Sequence, residues 1–146
     1  MKKILITLAL TACLAIPCLA SPFNFDINLK AGLNIDTHKI NNDIPVNIGA
    51  EIGKNFGGNI ISISADYFVN EKKNAPCFIN YKREANKDLT AGIGLGKFFD
   101  SSKSLAAQGF IQAKIDQNWF AEFKAIKRLE PFSRSAYVLC SLGYKF

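Results

Sequence analysis

Residues 23–36 read FNFDINLKAGLNID, and this stretch decides the fold. Phe23, Phe25, Ile27, Leu29, Ala31, Leu33 and Ile35 fall on one face. Asn24, Asp26, Asn28, Lys30, Gly32, Asn34 and Asp36 fall on the other. A period of two is the signature of a strand with two unlike faces, and it leaves no apolar stripe at helical spacing.

The pattern recurs along the chain. It returns in VNIGAEIGKNF (46–56), NIISISADYFV (59–69), CFINYKRE (77–84) and LTAGIGLGKFF (89–99). It appears again in SLAAQGFIQAKID (104–116), NWFAEFKAIKRL (118–129) and YVLCSLGYKF (137–146). Short turn-like segments such as NFGGN, EANKD and DQN separate these runs. Eight long alternating strands predict an all-β, up-and-down antiparallel barrel, because closure pairs the edges that an open sheet of long strands would expose.

The chain begins MKKILITLALTACLAIPCLA, two lysines followed by an apolar run too short to span a bilayer as a helix. Residues 1–20 are therefore expected to be a cleaved signal peptide, with residues 21–146 forming the barrel. An alternative reading is LTAC at residues 10–13, which resembles a lipoprotein processing site and would leave a lipidated Cys13. Cleavage after Ala20 takes 20 of the 146 residues and two lysines, lowering the formal charge from +6 to +4. The remaining basic residues are scattered along the chain. That distribution argues against a nucleic-acid partner.

Alternation alone does not say which face points outward. A soluble lipocalin-like barrel keeps its apolar face inside, and a transmembrane barrel turns it outward. The lengths favour the second, at nine to eleven residues per apolar stretch. The polar face also carries both signs: Asp26, Glu51, Asp66, Glu84 and Glu122 with Lys30, Lys82, Lys114 and Lys124. These predict a charge network in the lumen. Outward aromatics gather at strand ends, Phe23, Phe25, Phe56, Trp119, Tyr144 and Phe146 at one rim and Tyr67 and Phe99 at the other, as interfacial girdles do. Lys54, Arg83, Lys97 and Lys127 lie on the apolar face but off its centre, where long side chains can reach the interface.

The last strand ends with Val138, Cys140, Leu142, Tyr144 and Phe146 at alternate positions. This resembles the C-terminal signature of bacterial outer-membrane β-barrels, and in strand number the chain is similar to the small OmpA- and OmpX-type barrels. The resemblance implies insertion by the barrel-assembly machinery and a bacterial outer-membrane location. Both termini would then face the periplasm, with loops near 36–44, 70–76, 99–103 and 130–135 facing outward. Outer-membrane lipid is an expected partner. Lysines and arginines near the outer rim, among them Lys97, Lys127 and Arg128, add lipopolysaccharide as a candidate. The chain is expected to act as a monomer. Cys77 and Cys140 would lie on opposite walls and remain unbridged.

No catalytic, cofactor-binding or metal site is expected. The glycine-rich AGIGLGKFF lacks the earlier glycine and the Ser or Thr after lysine that a phosphate loop needs. His38 is the only histidine and has no adjacent serine. Phe68, Phe78, Phe98 and Tyr137 point inward near the outer end. They are expected to form either an aromatic plug over the charged lumen or an apolar pocket for an acyl chain. The function expected is a closed barrel with a structural or surface-interaction role. The alternatives are a lipid-binding or lipid-modifying outer-membrane barrel and a secreted soluble ligand-binding barrel.

Overall fold

Alternating β-branched and aromatic residues build eight strands in the computed structural model, which describes residues 25–37, 46–69, 75–99, 104–130 and 136–146. They are β1 (Asp26–Asp36), β2 (Val46–Phe56), β3 (Asn59–Phe68), β4 (Pro76–Glu84), β5 (Leu89–Phe98), β6 (Leu105–Lys114), β7 (Trp119–Arg128) and β8 (Ala136–Lys145). Each strand pairs antiparallel with its neighbours in sequence, and β8 pairs with β1 to close the barrel. The expected signal peptide, residues 1–20, and His38 lie outside the described residues, as do Phe23 and most of the residues of the four predicted loops.

The register fixes the dimensions. Tracing partners from Asp26 through Gly53, Ser62, Asn80, Gly94, Gln108, Ile126 and Tyr137 returns to β1 at Asp36. The barrel therefore closes with a stagger of ten residues, the distance from position 26 to position 36. Strands about 4.8 Å apart with about 3.4 Å of rise per residue then tilt by about 40° around a radius of about 8 Å. A ten-residue strand at that tilt covers about 25 Å along the barrel axis, the height of the apolar band of transmembrane barrels.

One end carries three tight turns and the two ends of the described chain. Here called the turn end, it includes a two-residue hairpin at Gly57 and Gly58, whose φ angles are +66° and +89°. Positive φ at both positions gives the hairpin the hand that matches strand twist. The Asn55 side chain accepts a hydrogen bond from the Gly58 amide at 2.8 Å and reinforces it. The opposite, loop end carries the other four connections.

The faces sort as a transmembrane barrel requires. Outward-pointing Ile93 and Leu95 are each 67% exposed, and Ile48, Ile63, Ile79, Leu105 and Phe123 are all exposed as well. Inside, Lys30, Glu51, Asp66, Lys82, Glu122 and Lys124 are buried. A water-soluble barrel with this distribution would expose its oil and bury its charges, reversing the preference of both groups. Cys77 and Cys140 are free; Cys140 is exposed on β8, and Cys77 lies on β4.

Candidate functional site

The lumen is layered, and the layers follow from which side chains the stagger brings to one height. Nearest the loop end, β3, β4, β5, β6, β7 and β8 contribute Phe68, Phe78, Phe98, Ala106, Ile126, Tyr137 and Leu139 to one buried apolar cluster. Phe68 and Phe98 have no exposed surface. Their rings lie 5.2 and 5.6 Å from that of Tyr137, within ordinary aromatic packing distance. Arg128 turns inward here rather than joining the rim cations: its guanidinium stacks 3.9 Å from the Phe98 ring and donates to the Ser104 hydroxyl at 2.8 Å.

The middle layer is a closed charge network. Lys30 of β1 donates to both carboxylate oxygens of Glu122 of β7, at 2.8 and 3.1 Å, and lies 3.5 Å from Glu51 of β2. Lys124 pairs with Asp66 at 2.8 Å and with Glu122 at 3.2 Å. Lys82 pairs with Glu51 and donates to Gln112, which in turn donates to Glu122 at 2.6 Å. Phe110 stands between Lys82 and Lys124, each 5.9 Å from its ring centre. Beside the charges, Asn80 donates to Ser62 and Ser64 and accepts from Gln108. Three ammonium groups thus meet three carboxylates, and every one of the six pairs within the group.

Three residues of the same polar face stand apart from this network. Asp26 pairs with Lys145 at 2.9 Å at the turn end, Glu84 accepts from Asn55 at 2.9 Å, and Lys114 lines the open mouth. Together with Asn28, Ile60, Thr90 and Phe120 they surround a cavity of about 210 Å³, whose ceiling is Glu51, Lys82 and Gln112. The inward-facing apolar residues Ile60, Phe110, Phe120, Ile126 and Leu139 break the polar face and have no signal in its alternation. Glycines make room for several large side chains. A Cβ on Gly92 would strike the Phe110 ring, one on Gly96 the Phe78 ring, and one on Gly143 the Phe120 ring.

The outward aromatics form a girdle at the turn end. Trp119 and Tyr144 meet edge to face at 5.1 Å, as do Tyr144 and Phe146 at 5.0 Å. Lys54 lies 5.8 and 5.7 Å from the rings of Phe25 and Phe56. In the C-terminal strand Leu142 and Phe146 are exposed alongside Cys140, and Val138 and Tyr144 are partly so. The terminal backbone is pinned, with the Phe146 amide donating to the Ile27 carbonyl at 2.9 Å. Among the described residues no group of three or more His, Cys, Asp or Glu is disposed to hold a metal ion.

No protein-family model matches this sequence, and no curated protein does. Solved structures share the fold at low identity. A de novo designed transmembrane β-barrel superposes with a TM-score of 0.57 at 10% identity, over 84% of this chain and 94% of the design. The Yersinia pestis outer-membrane protein Ail in a phospholipid nanodisc gives 0.57 at 12% identity, over 83% of this chain and 99% of Ail. Neisserial surface protein A also gives 0.57, at 10% identity, over 83% of this chain and 95% of that protein. The architecture is that of small eight-stranded outer-membrane barrels, and identities this low carry the fold alone.

Proposed function

We propose that this chain is an integral outer-membrane β-barrel of a Gram-negative bacterium, closed rather than pore-forming and non-enzymatic, with a structural or surface-interaction role. The observation that carries the reading is the inversion of the two faces: an outward belt of exposed Ile, Leu and Phe around a lumen of buried, mutually paired charges. In lipid such a belt is solvated and the closed backbone ladder leaves no edge unpaired. The similarity to Ail and Neisserial surface protein A supports the location.

The layers support closure. The apolar cluster at Phe68, Phe78, Phe98 and Tyr137 acts as a plug, since its rings contact one another with no exposed surface on Phe68 or Phe98. Beneath it the charge network fills a lumen that eight strands make too narrow for a water column. The loop end faces outward and presents the connections that carry surface contacts, while Val138, Cys140, Leu142, Tyr144 and Phe146 are read by the assembly machinery during insertion. The chain works as a monomer among outer-membrane lipids.

The deciding experiment is gel mobility of the outer-membrane fraction, unheated against boiled in detergent. A folded barrel migrates differently until boiling unfolds it. Recovery in the soluble fraction with no mobility shift would refute the proposal.

A further inference from the structure

On the outward wall near the loop end, β4 to β7 enclose an apolar trough of about 430 Å³. Cys77 is the small side chain of its outward face, and its banks are Ile79, Leu95, Leu105 and Leu129. The banks are tall, at 65, 67, 63 and 52% exposure. Lys97 stands in the row between Cys77 and Leu105, with Phe99 one position nearer the loop end. Lys97 is exposed and has no carboxylate partner among the described residues. An ammonium at the rim of an apolar belt therefore stands directly over a channel shaped for hydrocarbon. Its counterpart at the turn end, Lys54, is already engaged by Phe25 and Phe56.

We propose that this trough is a lipid site for a phosphorylated, multiply acylated glycolipid of the lipid A type, with one acyl chain between Leu95 and Leu105 and a phosphate on Lys97. The charge decides the headgroup: an ammonium at the membrane interface is satisfied by an anionic phosphate, and among the described residues Lys97 has no carboxylate partner. The choice of lipid A rests on the reading above that the loop end faces outward, which puts Lys97 in the outer leaflet.

The test is native mass spectrometry of the full chain in detergent, titrated separately with lipid A and with phosphatidylglycerol. The wild type is expected to retain lipid A. Lys97→Ala should lower that retention about fivefold, the factor equivalent to about 1 kcal/mol for one basic residue near an anionic lipid surface. Cys77→Phe, which fills the trough and leaves the charge, should lower it as well. Lys54→Ala should leave it unchanged. Unchanged retention in both trough variants, or an equal loss in Lys54→Ala, overturns the site. Equal retention of phosphatidylglycerol overturns the assignment to lipid A. The heat-dependent mobility shift of each sample separates the failures: a wild type with no shift overturns the membrane reading as well, and a shift with unaltered lipid retention overturns this site alone.

Discussion

Glu122→Gln keeps the shape of the side chain at the centre of the lumen and removes its charge. Three ammonium groups then face two carboxylates. Lys30 loses a partner at 2.8 Å and keeps Glu51 at 3.5 Å, while Lys124 loses one at 3.2 Å and keeps Asp66 at 2.8 Å. At an effective dielectric constant of about 20, unit charges 2.8 Å apart attract by roughly 6 kcal/mol, of which desolvation takes back a large share. Breaking a buried pair from one side costs about 3–5 kcal/mol, and the retained partners set the expectation near about 3. Equilibrium urea unfolding in lipid vesicles, followed through Trp119, the only tryptophan, measures it. The double variant Glu122→Gln with Lys30→Met restores neutrality and should return to within about 1 kcal/mol of the wild type, because an apolar side chain of similar length replaces the orphaned cation. A cost below about 1 kcal/mol for Glu122→Gln alone would refute the reasoning, since it would mean that water entering through the turn-end cavity screens the network.

Other substitutions probe the remaining layers. Phe98→Ala should cost about 3–5 kcal/mol in the same assay through the cavity it opens beneath Arg128; little loss would mean the cluster is loosely packed. Leu95→Arg, on the outward belt, should cost about 2–4 kcal/mol if its position lies near the bilayer midplane, and less in proportion as it lies nearer the interface. A soluble barrel would tolerate it. Gly57→Val places a β-branched residue at φ +66° and should destabilise the hairpin by about 1–2 kcal/mol, whereas Gly57→Asn should be milder; equal effects would argue against the left-handed geometry. Cys140 should react with a membrane-soluble maleimide and resist a charged one in intact membranes, which mass analysis reads directly; equal reaction with both would place Cys140 in water.

The strands were legible because a period of two survives everything done to it by tertiary packing. The run at 46–56 and β2 coincide, and the runs at 118–129 and 137–146 differ from β7 and β8 by one residue at each end. The face of each charge was legible for the same reason. Its partner was not: Lys30 meets Glu122, 92 positions away, and Lys124 meets Asp66, 58 positions away, pairings that depend on the ten-residue stagger. Height along the axis was hidden too, so Asp26, Glu84 and Lys114 shared a face with the network yet stand at the open end. Arg128 illustrates the same limit at the other end. A cation near a loop reads as a rim residue until the ring beneath it is seen.

The distribution of the six central charges along the chain bears on the order of assembly. Lys30, Glu51, Asp66 and Lys82 lie on β1 to β4, and Glu122 and Lys124 lie on β7. Each half of the chain is thus electroneutral at this height before the halves meet. Only the pairs Lys30–Glu122 and Lys124–Asp66 join the two halves. A growing sheet of hairpins can therefore enter hydrocarbon without carrying a net charge at its middle. The last two ion pairs then form as the rim of the sheet rolls shut, so the seam between β1 and β8 gains polar contacts inside the lumen as well as its own ladder.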